Sequence, residues 1–420
     1  MQALAELAVE QQRWEDAQQL VADHPELAET VCVPWAEWLV AKGDFHKARL
    51  AYRQAGRWQQ SAHILQQLND NAVLQHQYAL AATLHYQLAM EALNEVHNAS
   101  GEPYTVREPS TSGRDSDDAG LTRHAELYQR AELYYAYDLM HKSSTCPFRT
   151  VFAATLLNAA CYLLMHLPTE GSRTLAGVSR AVILRVCAQQ AQQLQAFKLA
   201  RWAYTQLQSL RIPSAWQDSV ELLSVQLHGC PFTDAEGVLP TCYRCGSSNP
   251  LVNAQGDACN TCRNAFIRSF LTFEALPLVQ IELAEHITDE QAAALLEEDP
   301  MPPAGAESSA GMNTGEADVL QIEDSGDALD IDLDDPFQTQ MLDISHPVVA
   351  DEHMLKCLKQ QEVIIRPGMH KSQRCQYFKI MDPSTPICLS PCGHLYEEDE
   401  YEMYLLEHGS APFCGSQMQS

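Results

Sequence analysis

Residues 41–65 read AKGDFHKARLAYRQAGRWQQSAHIL, and their spacing decides the fold. Phe45, Ala48 and Tyr52 form one set and Trp58, Ala62 and Leu65 the next. In each, an aromatic is followed at helical spacing by small or aliphatic residues, the stripe that one helix offers to its neighbours. Gly43-Asp44 and Gly56-Arg57 fall between the periodic runs, where a glycine can end one helix before the next begins. Trp14, Ala17 and Val21 repeat the theme upstream. The pattern predicts a mainly α fold, a tetratricopeptide-like solenoid of helical hairpins in which the roughly 34-residue consensus has degenerated. Aromatics so spaced are read as core rather than as a ligand cage.

The helical reading extends to about residue 230. Residues 98–121 (NASGEPYTVREPSTSGRDSDDAGL) lack periodicity and predict a flexible loop. Helices are then expected around Leu127, Ala131 and Tyr134, from Phe148 to Leu167, along Leu199, Trp202, Ala203 and Leu210, and from Pro213 to His228. The most apolar stretch, Val151 to Leu167, falls just short of the roughly 18 residues that span a bilayer and contains Asn158 and His166. It predicts a buried helix and no membrane span. The opening MQALAELAVEQQRWEDAQQL has no signal-peptide pattern, so secretion is not expected. In a reducing compartment, scattered Cys32, Cys161 and Cys187 are buried hydrophobes.

A chain of 420 residues exceeds what one core supports, so several units are expected. The formal charge of −28 is localised: from Ser269 to Leu355 there are 21 Asp or Glu and no Lys or Arg. The remainder is only mildly acidic, which argues against surfaces for nucleic-acid phosphates or anionic lipid.

Past the helices, TCYRCGSSNPLVNAQGDACNTCRNAF places Cys242 and Cys245, then thirteen intervening residues, then Cys259 and Cys262. Two residues between cysteines let a tight knuckle aim both thiolates at one ion, and two knuckles complete the tetrahedral shell of zinc. A four-cysteine shell leaves no open position, so the ion is structural. Residues 238–298 are therefore read as a zinc ribbon followed by two short helices, Leu276 to His286 and Thr288 to Glu298. Thr288-Asp-Glu-Gln291 has the form of a capping box.

Residues 299–335 are Pro/Gly-rich and acidic and predict a disordered linker. Its alternation of Ile322, Leu329, Ile331 and Leu333 with acids is read as a solubilising tether, with a short docking motif for a basic partner as the alternative. Residues 336–420 predict a small module with a helix near Asp351 to Gln361, a strand at Val363 and a second ligand cluster in ICLSPCGHLYEEDEYEMYLLEHGSAPFC. Cys388, Cys392, His394 and Cys414 could hold a second zinc, with His408 or Cys375 as substitutes for His394. PICLSPCGHLY also resembles the core of RING and U-box ubiquitin ligases, the alternative function, although too few Cys and His are near to fill two zinc sites. No phosphate-binding glycine loop or nucleophile elbow is present, so no enzyme is expected.

CYRCGSSNPLVNAQGDACNTCRNAF, HITDEQAAALL, DDPF, QYFKIMDPSTPIC and EDEYEMYLLEHG resemble the C-terminal part of the intraflagellar transport protein 122 family. Members of that family carry two N-terminal WD40 propellers, whose signature is not found in this sequence, so the resemblance implies a C-terminal fragment or an incomplete gene product. It also implies a non-enzymatic subunit of intraflagellar transport complex A, acting in retrograde transport, cilium assembly and ciliary import of membrane proteins. The implied partners are the other complex A subunits and adaptors for membrane cargo. The implied location is the cilium and its basal body, on the cytoplasmic side. Within that family the ribbon cysteines correspond to Cys242, Cys245, Cys259 and Cys262, and the last module's two pairs to Cys388 with Cys392 and Ala411 with Cys414. Ala411 breaks the second pair.

Overall fold

A computed structural model describes residues 1–99, 114–145, 151–167, 175–297, 336–369 and 373–416 of the chain. Its helical turns share one construction. At five of them a residue with positive φ is followed by one spacer and then by an aromatic that opens a helix. They are Gln12 (φ 56°) before Trp14, Gly43 (82°) before Phe45, Gly56 (70°) before Trp58, His76 (59°) before Tyr78, and Gln195 (63°) before Phe197. In each, the spacer's N–H reaches back over the turn: Arg13 to Ala8 O (2.9 Å), Asp44 to Leu39 O (3.0 Å), Arg57 to Tyr52 O (2.8 Å), Gln77 to Ala72 O (2.9 Å) and Ala196 to Ala191 O (2.8 Å). This closure satisfies carbonyls that the ending helix would otherwise leave open.

Three residues beyond each aromatic lies a side chain with no exposed area: Ala17, Ala48, Ser61, Ala81 and Ala200. Small residues there let neighbouring helices approach closely. The sequence pattern put Ala62 at the third of these crossings, whereas the structure buries Ser61 and leaves Ala62 half-exposed. The left-handed residue sets the register, and the crossing always falls five positions after it.

The chain forms two compact units. The first, residues 1–150, 166–183 and 413–416, contains α1 (Gln2–Glu10), α2 (Trp14–Asp23), α3 (Ala28–Lys42), α4 (Phe45–Gln54), α5 (Trp58–Leu74), α6 (Tyr78–Ala99) and α7 (Arg114–Thr145). Each helix packs against the next, the arrangement of a helical solenoid. The loop expected at 98–121 is shorter than the sequence suggested. Helix α6 runs to Ala99 and α7 starts at Arg114; the remainder of that segment lies outside the described residues. Tyrosines of α6 and α7 fasten the chain just before α9 (Arg180–Gln193). Tyr78 and Tyr134 donate to Gly177 O and Ala176 O, both at 2.9 Å, and Tyr137 Oη accepts from the Ser179 N–H at 3.1 Å.

The second unit, chiefly residues 151–165 and 184–412, holds α8 (Ala153–His166), α10 (Phe197–Ser209), α11 (Ser214–Gln226), the ribbon and a sheet. Helix α8 is the apolar segment flagged in the sequence, and nine of its side chains are buried. No helix among the described residues is long and apolar enough to cross a membrane.

The sheet corrects one reading of the sequence. Residues 278–283, expected within a helix, are strand β1 (Leu278–Leu283). It pairs in parallel with β2 (Val348–Ala350) and antiparallel with β4 (Gln376–Ile380), which in turn pairs with β3 (Val363–Arg366), giving the order β2-β1-β4-β3. A central strand covered on both faces reads as a nearly continuous apolar run, and LPLVQIEL imitates helical spacing. On one face Val279 and Ile281 pack with Ala292, Leu296, Phe337, Met354 and Leu355 from α12 (Asp289–Glu297), α13 (Pro336–Leu342) and α14 (Glu352–Cys357). On the other, Leu278 packs with Leu276, Phe378 and Leu395. The segment after the ribbon and the segment after residue 335 thus build one core, with the acidic stretch 299–335 between them in sequence and outside the described residues. The capping box holds as expected: the Thr288 N–H donates to Gln291 Oε1 (3.0 Å) and the Gln291 N–H to Thr288 Oγ1 (3.3 Å). The chain ends in a hairpin, β5 (Ile387–Leu389) and β6 (Leu395–Glu397), followed by α15 (Glu398–His408).

Candidate metal centre

Two knuckles of identical backbone form the ribbon. In the first, the Cys242 N–H donates to Ser247 O (3.0 Å), the Gly246 N–H to Cys242 O (2.8 Å), and Thr241 bridges Ser248. In the second, the Cys259 N–H donates to Asn264 O (2.9 Å), the Arg263 N–H to Cys259 O (3.1 Å), and Ala258 bridges Ala265. The residue after each second cysteine, Gly246 or Arg263, has positive φ, 66° and 63°. That bend turns the chain back and leaves both sulfurs on the inside of the loop.

The knuckles face each other with Cys242 Sγ 3.5 Å from Cys262 Sγ and Cys245 Sγ 3.6 Å from Cys259 Sγ. All four sulfurs lie within 4.8 Å of one another. A tetrahedron with metal–sulfur bonds of about 2.3 Å has edges of about 3.8 Å, so the cage matches zinc. The separations are far beyond the roughly 2.05 Å of a disulfide, and all four cysteines are free. Three of the four are buried.

The thiols do not titrate alike. Burial raises the Cys242 thiol, and burial together with the neighbouring Cys242 and Cys245 sulfurs pushes Cys262 far up. Burial also works against ionising Cys259, but donors from Ser247 Oγ, the Cys262 and Thr261 amides and Asn249 outweigh it and bring that thiol down to about 5. Four thiolates at this spacing are tolerable only around a metal ion, whose charge replaces their protons. The ribbon is therefore a structural zinc site, with all four coordination positions supplied by the chain.

A third turn with the same backbone follows, and the sequence motif did not reveal it. The Ser269 N–H donates to Glu274 O (3.0 Å), the Phe273 N–H to Ser269 O (2.7 Å), Arg268 bridges Ala275, and Phe273 has φ 57°. Ser269 and Thr272 stand where the other knuckles carry cysteines. In place of a metal this turn offers rings: Phe270 and Phe273 pack on Tyr162 of α8 at 5.6 and 5.5 Å, and Phe270 on His394 at 4.2 Å. The same eight-residue frame thus begins at Thr241, Ala258 and Arg268, and the cysteines mark only the first two.

Two residues of the terminal cluster, Cys392 and His394, are neighbours within the second unit. Cys392 Sγ lies 3.3 Å from His394 Nδ1, both buried. Cys388 is on β5, its thiol pushed up to about 11 by burial and by Glu398 and Glu402. Cys414 Sγ lies 3.1 Å from Ser416 Oγ, beside Phe413, which packs among Tyr86, Tyr128 and Tyr135. His408 Nδ1 lies 3.2 Å from Tyr404 O, and the Cys375 N–H donates to Asp289 at 3.1 Å. Among the described residues, three or more potential ligands converge in one place, the ribbon.

Comparison with known proteins agrees with the cage. Residues 235–279 match the family described as "IFT122, zinc ribbon domain". The whole chain is similar to "Intraflagellar transport protein 122 homolog" of Danio rerio (32% identity over 99% of this chain and 34% of the relative) and of Homo sapiens (32% over 99% and 32%). The homologue of Xenopus tropicalis shows 33% identity over 99% of this chain and 34% of its own length. The chain spans about a third of the length of these relatives. With a ribbon of that family at its centre and similarity on both sides of it, the chain is recognised as a match to the C-terminal part of intraflagellar transport protein 122.

Proposed function

We propose that the chain is a non-catalytic scaffold in intraflagellar transport, working within complex A in retrograde transport, in cilium assembly and in the import of membrane proteins into cilia. The observation that carries this reading is the similarity to intraflagellar transport protein 122 homologues over 99% of the chain. The helical array supplies repeated faces on which sister subunits can pack. The ribbon, with its ligand shell closed by thiolates, holds shape and leaves no coordination position for a substrate. The partners in this reading are the other complex A subunits and adaptors for membrane cargo, and its place is the cilium and basal body on the cytoplasmic side.

Purification of the tagged chain from ciliated cells should bring down complex A subunits. Their absence would remove the assembly role. A second zinc at Cys388, Cys392, His394 and Cys414 belongs to the same reading. It requires two zinc ions per chain, falling to one on Cys392→Ser; one ion throughout refutes it. The ligase alternative draws on the Ser390–His394 turn, where the Ser390 N–H donates to His394 O at 2.9 Å ahead of the β6–α15 pair. It stands or falls on autoubiquitination with a panel of purified conjugating enzymes.

A further inference from the structure

Behind the sulfurs of the ribbon lie two polar side chains that the ligand motif does not include. Asn249 is 2% exposed, and both polar atoms of its side chain are used. Its Nδ2 donates to Ser247 O (3.0 Å) and to Cys259 Sγ (3.5 Å), its Oδ1 accepts from the Asn260 N–H (2.8 Å), and its own N–H donates to Pro240 O (2.9 Å). The amide orientation is fixed by these partners, since the Asn260 N–H must meet an oxygen and the Ser247 carbonyl must meet a donor. Asn249 follows the first knuckle in sequence and holds the second, so it ties the two halves of the cage together. Ser247 Oγ sits 3.0 Å from Cys245 Sγ and 3.3 Å from Cys259 Sγ, between one ligand of each knuckle. With a single proton, the hydroxyl can serve one thiolate at a time.

We propose that Ser247 and Asn249 are positioning residues of the metal centre, which aim the Cys259 sulfur from the opposite knuckle and set how tightly zinc is held. This rests on the reading that the four cysteines bind zinc. Polar groups that hydrogen-bond to metal ligands fix ligand orientation and withdraw charge from the donor atom, and losing one costs about 10–100-fold in metal affinity. Cys259 receives both side chains as well as the Thr261 N–H at 3.4 Å. Among the described residues, no hydroxyl or amide side chain donates to the Cys242 or Cys262 sulfur, which face each other. The centre is therefore asymmetric, and Cys259 is the ligand that the surrounding chain prepares in advance.

The test is a competitive zinc titration of the full chain against a chelator, with cobalt substitution as the optical probe. Ser247→Ala is the principal variant, because among the described residues its hydroxyl bonds to the two sulfurs. Asn249→Asp is the second: it keeps an acceptor for the Asn260 N–H but sets a carboxylate oxygen against Cys259. Both variants should bind zinc about 10–100-fold more weakly than the parent chain, and their thiolate-to-cobalt charge-transfer bands should move to lower energy as the sulfur becomes richer in electrons. A merely structural role would not shift that band. Circular dichroism at saturating zinc shows whether the variants are folded, and Ser247→Ala, which removes one oxygen atom, answers even if Asn249→Asp does not fold. Parental affinity and an unshifted band in Ser247→Ala would overturn the proposal. A parent chain that binds no zinc would instead overturn the metal reading on which it rests.

Discussion

The guanidinium of Arg244, inside the first zinc knuckle, donates to the carbonyl oxygen of His346, 102 residues further along the chain, at 2.6 Å. The same Nη2 reaches Gln340 O at 3.2 Å and Asp343 O at 2.7 Å, so one buried cation closes the end of α13 and the turn leading into β2. Metal site and sheet are joined by a side chain that lies between two ligands. Arg244→Met should lower stability by about 3 kcal/mol, because carbonyls buried with a charged donor are left without one. Hydrogen exchange should accelerate in α13 and β2 and leave α10 unchanged. Unaltered exchange at Val348 to Ala350 would contradict the coupling.

Zinc removal should propagate along the same route. Small zinc modules draw about 10–16 kcal/mol from the ion, far more than the few buried side chains of the ribbon can supply. Chelation, or Cys259→Ser, should therefore release residues 240–266 and weaken α13 and β2 through Arg244. The Phe270 turn, which has hydroxyls where the knuckles have thiols, should keep its protection longer. Exchange mass spectrometry with and without chelator measures the order of loss.

The helical turns predict opposite outcomes at matched positions. Gln195 occupies the left-handed region at φ 63°, and Gln195→Gly should stabilise by about 0.5–1 kcal/mol by relieving its Cβ. Gly43, at φ 82°, has nothing within 4 Å of an added Cβ, so Gly43→Ala isolates the backbone cost, about 1 kcal/mol of destabilisation. Thermal melts of the two variants should move in opposite directions.

Acidification should weaken the helical array. His85 is buried, and burial, then the Arg130 charge, holds its pKa below the ordinary 6.5, while Ala81 O, which its Nδ1–H meets at 3.0 Å, and Asp70 oppose the shift. The unfolded chain thus takes up the proton first. The neutral ring's contribution is complete above 6.5 and is lost as pH falls below it. Burial lowers His124 and His141 in the same direction. The unfolding midpoint should fall from pH 7.5 to pH 5.5, and His85→Gln should flatten that slope.

What the sequence disclosed follows from how local each signal is. The four ribbon cysteines and the Thr288–Gln291 cap are short-range patterns, and the structure realises both. The helical stripes were legible too, but their register was not: Ser61 rather than Ala62 is buried because a backbone dihedral at Gly56 sets the phase. Strand β1 escaped because both its faces are covered, by Leu276, Ala292 and Leu296 nearby and by residues from beyond position 335, and a segment buried on both sides carries no alternation to read. Asn249 was invisible for a related reason. An asparagine in a turn is ordinary until its amide is found against a sulfur.

The parallel pairing of β1 with β2 has a consequence for how the molecule is made. Ile281 meets Val348, some 67 residues further on, and Gln280 meets Phe378 later still. At roughly 5–20 residues per second, β1 leaves the ribosome several seconds before either partner exists. The upstream helices and the zinc knuckles precede these partners in the chain, so during synthesis the ribbon waits, closed, beside an apolar strand that only Leu276 and α12 can yet cover. That interval is when the nascent chain is most exposed to misassociation. The intervening stretch can lengthen at little thermodynamic cost, about 0.6 kcal/mol per doubling, but each added residue prolongs the wait.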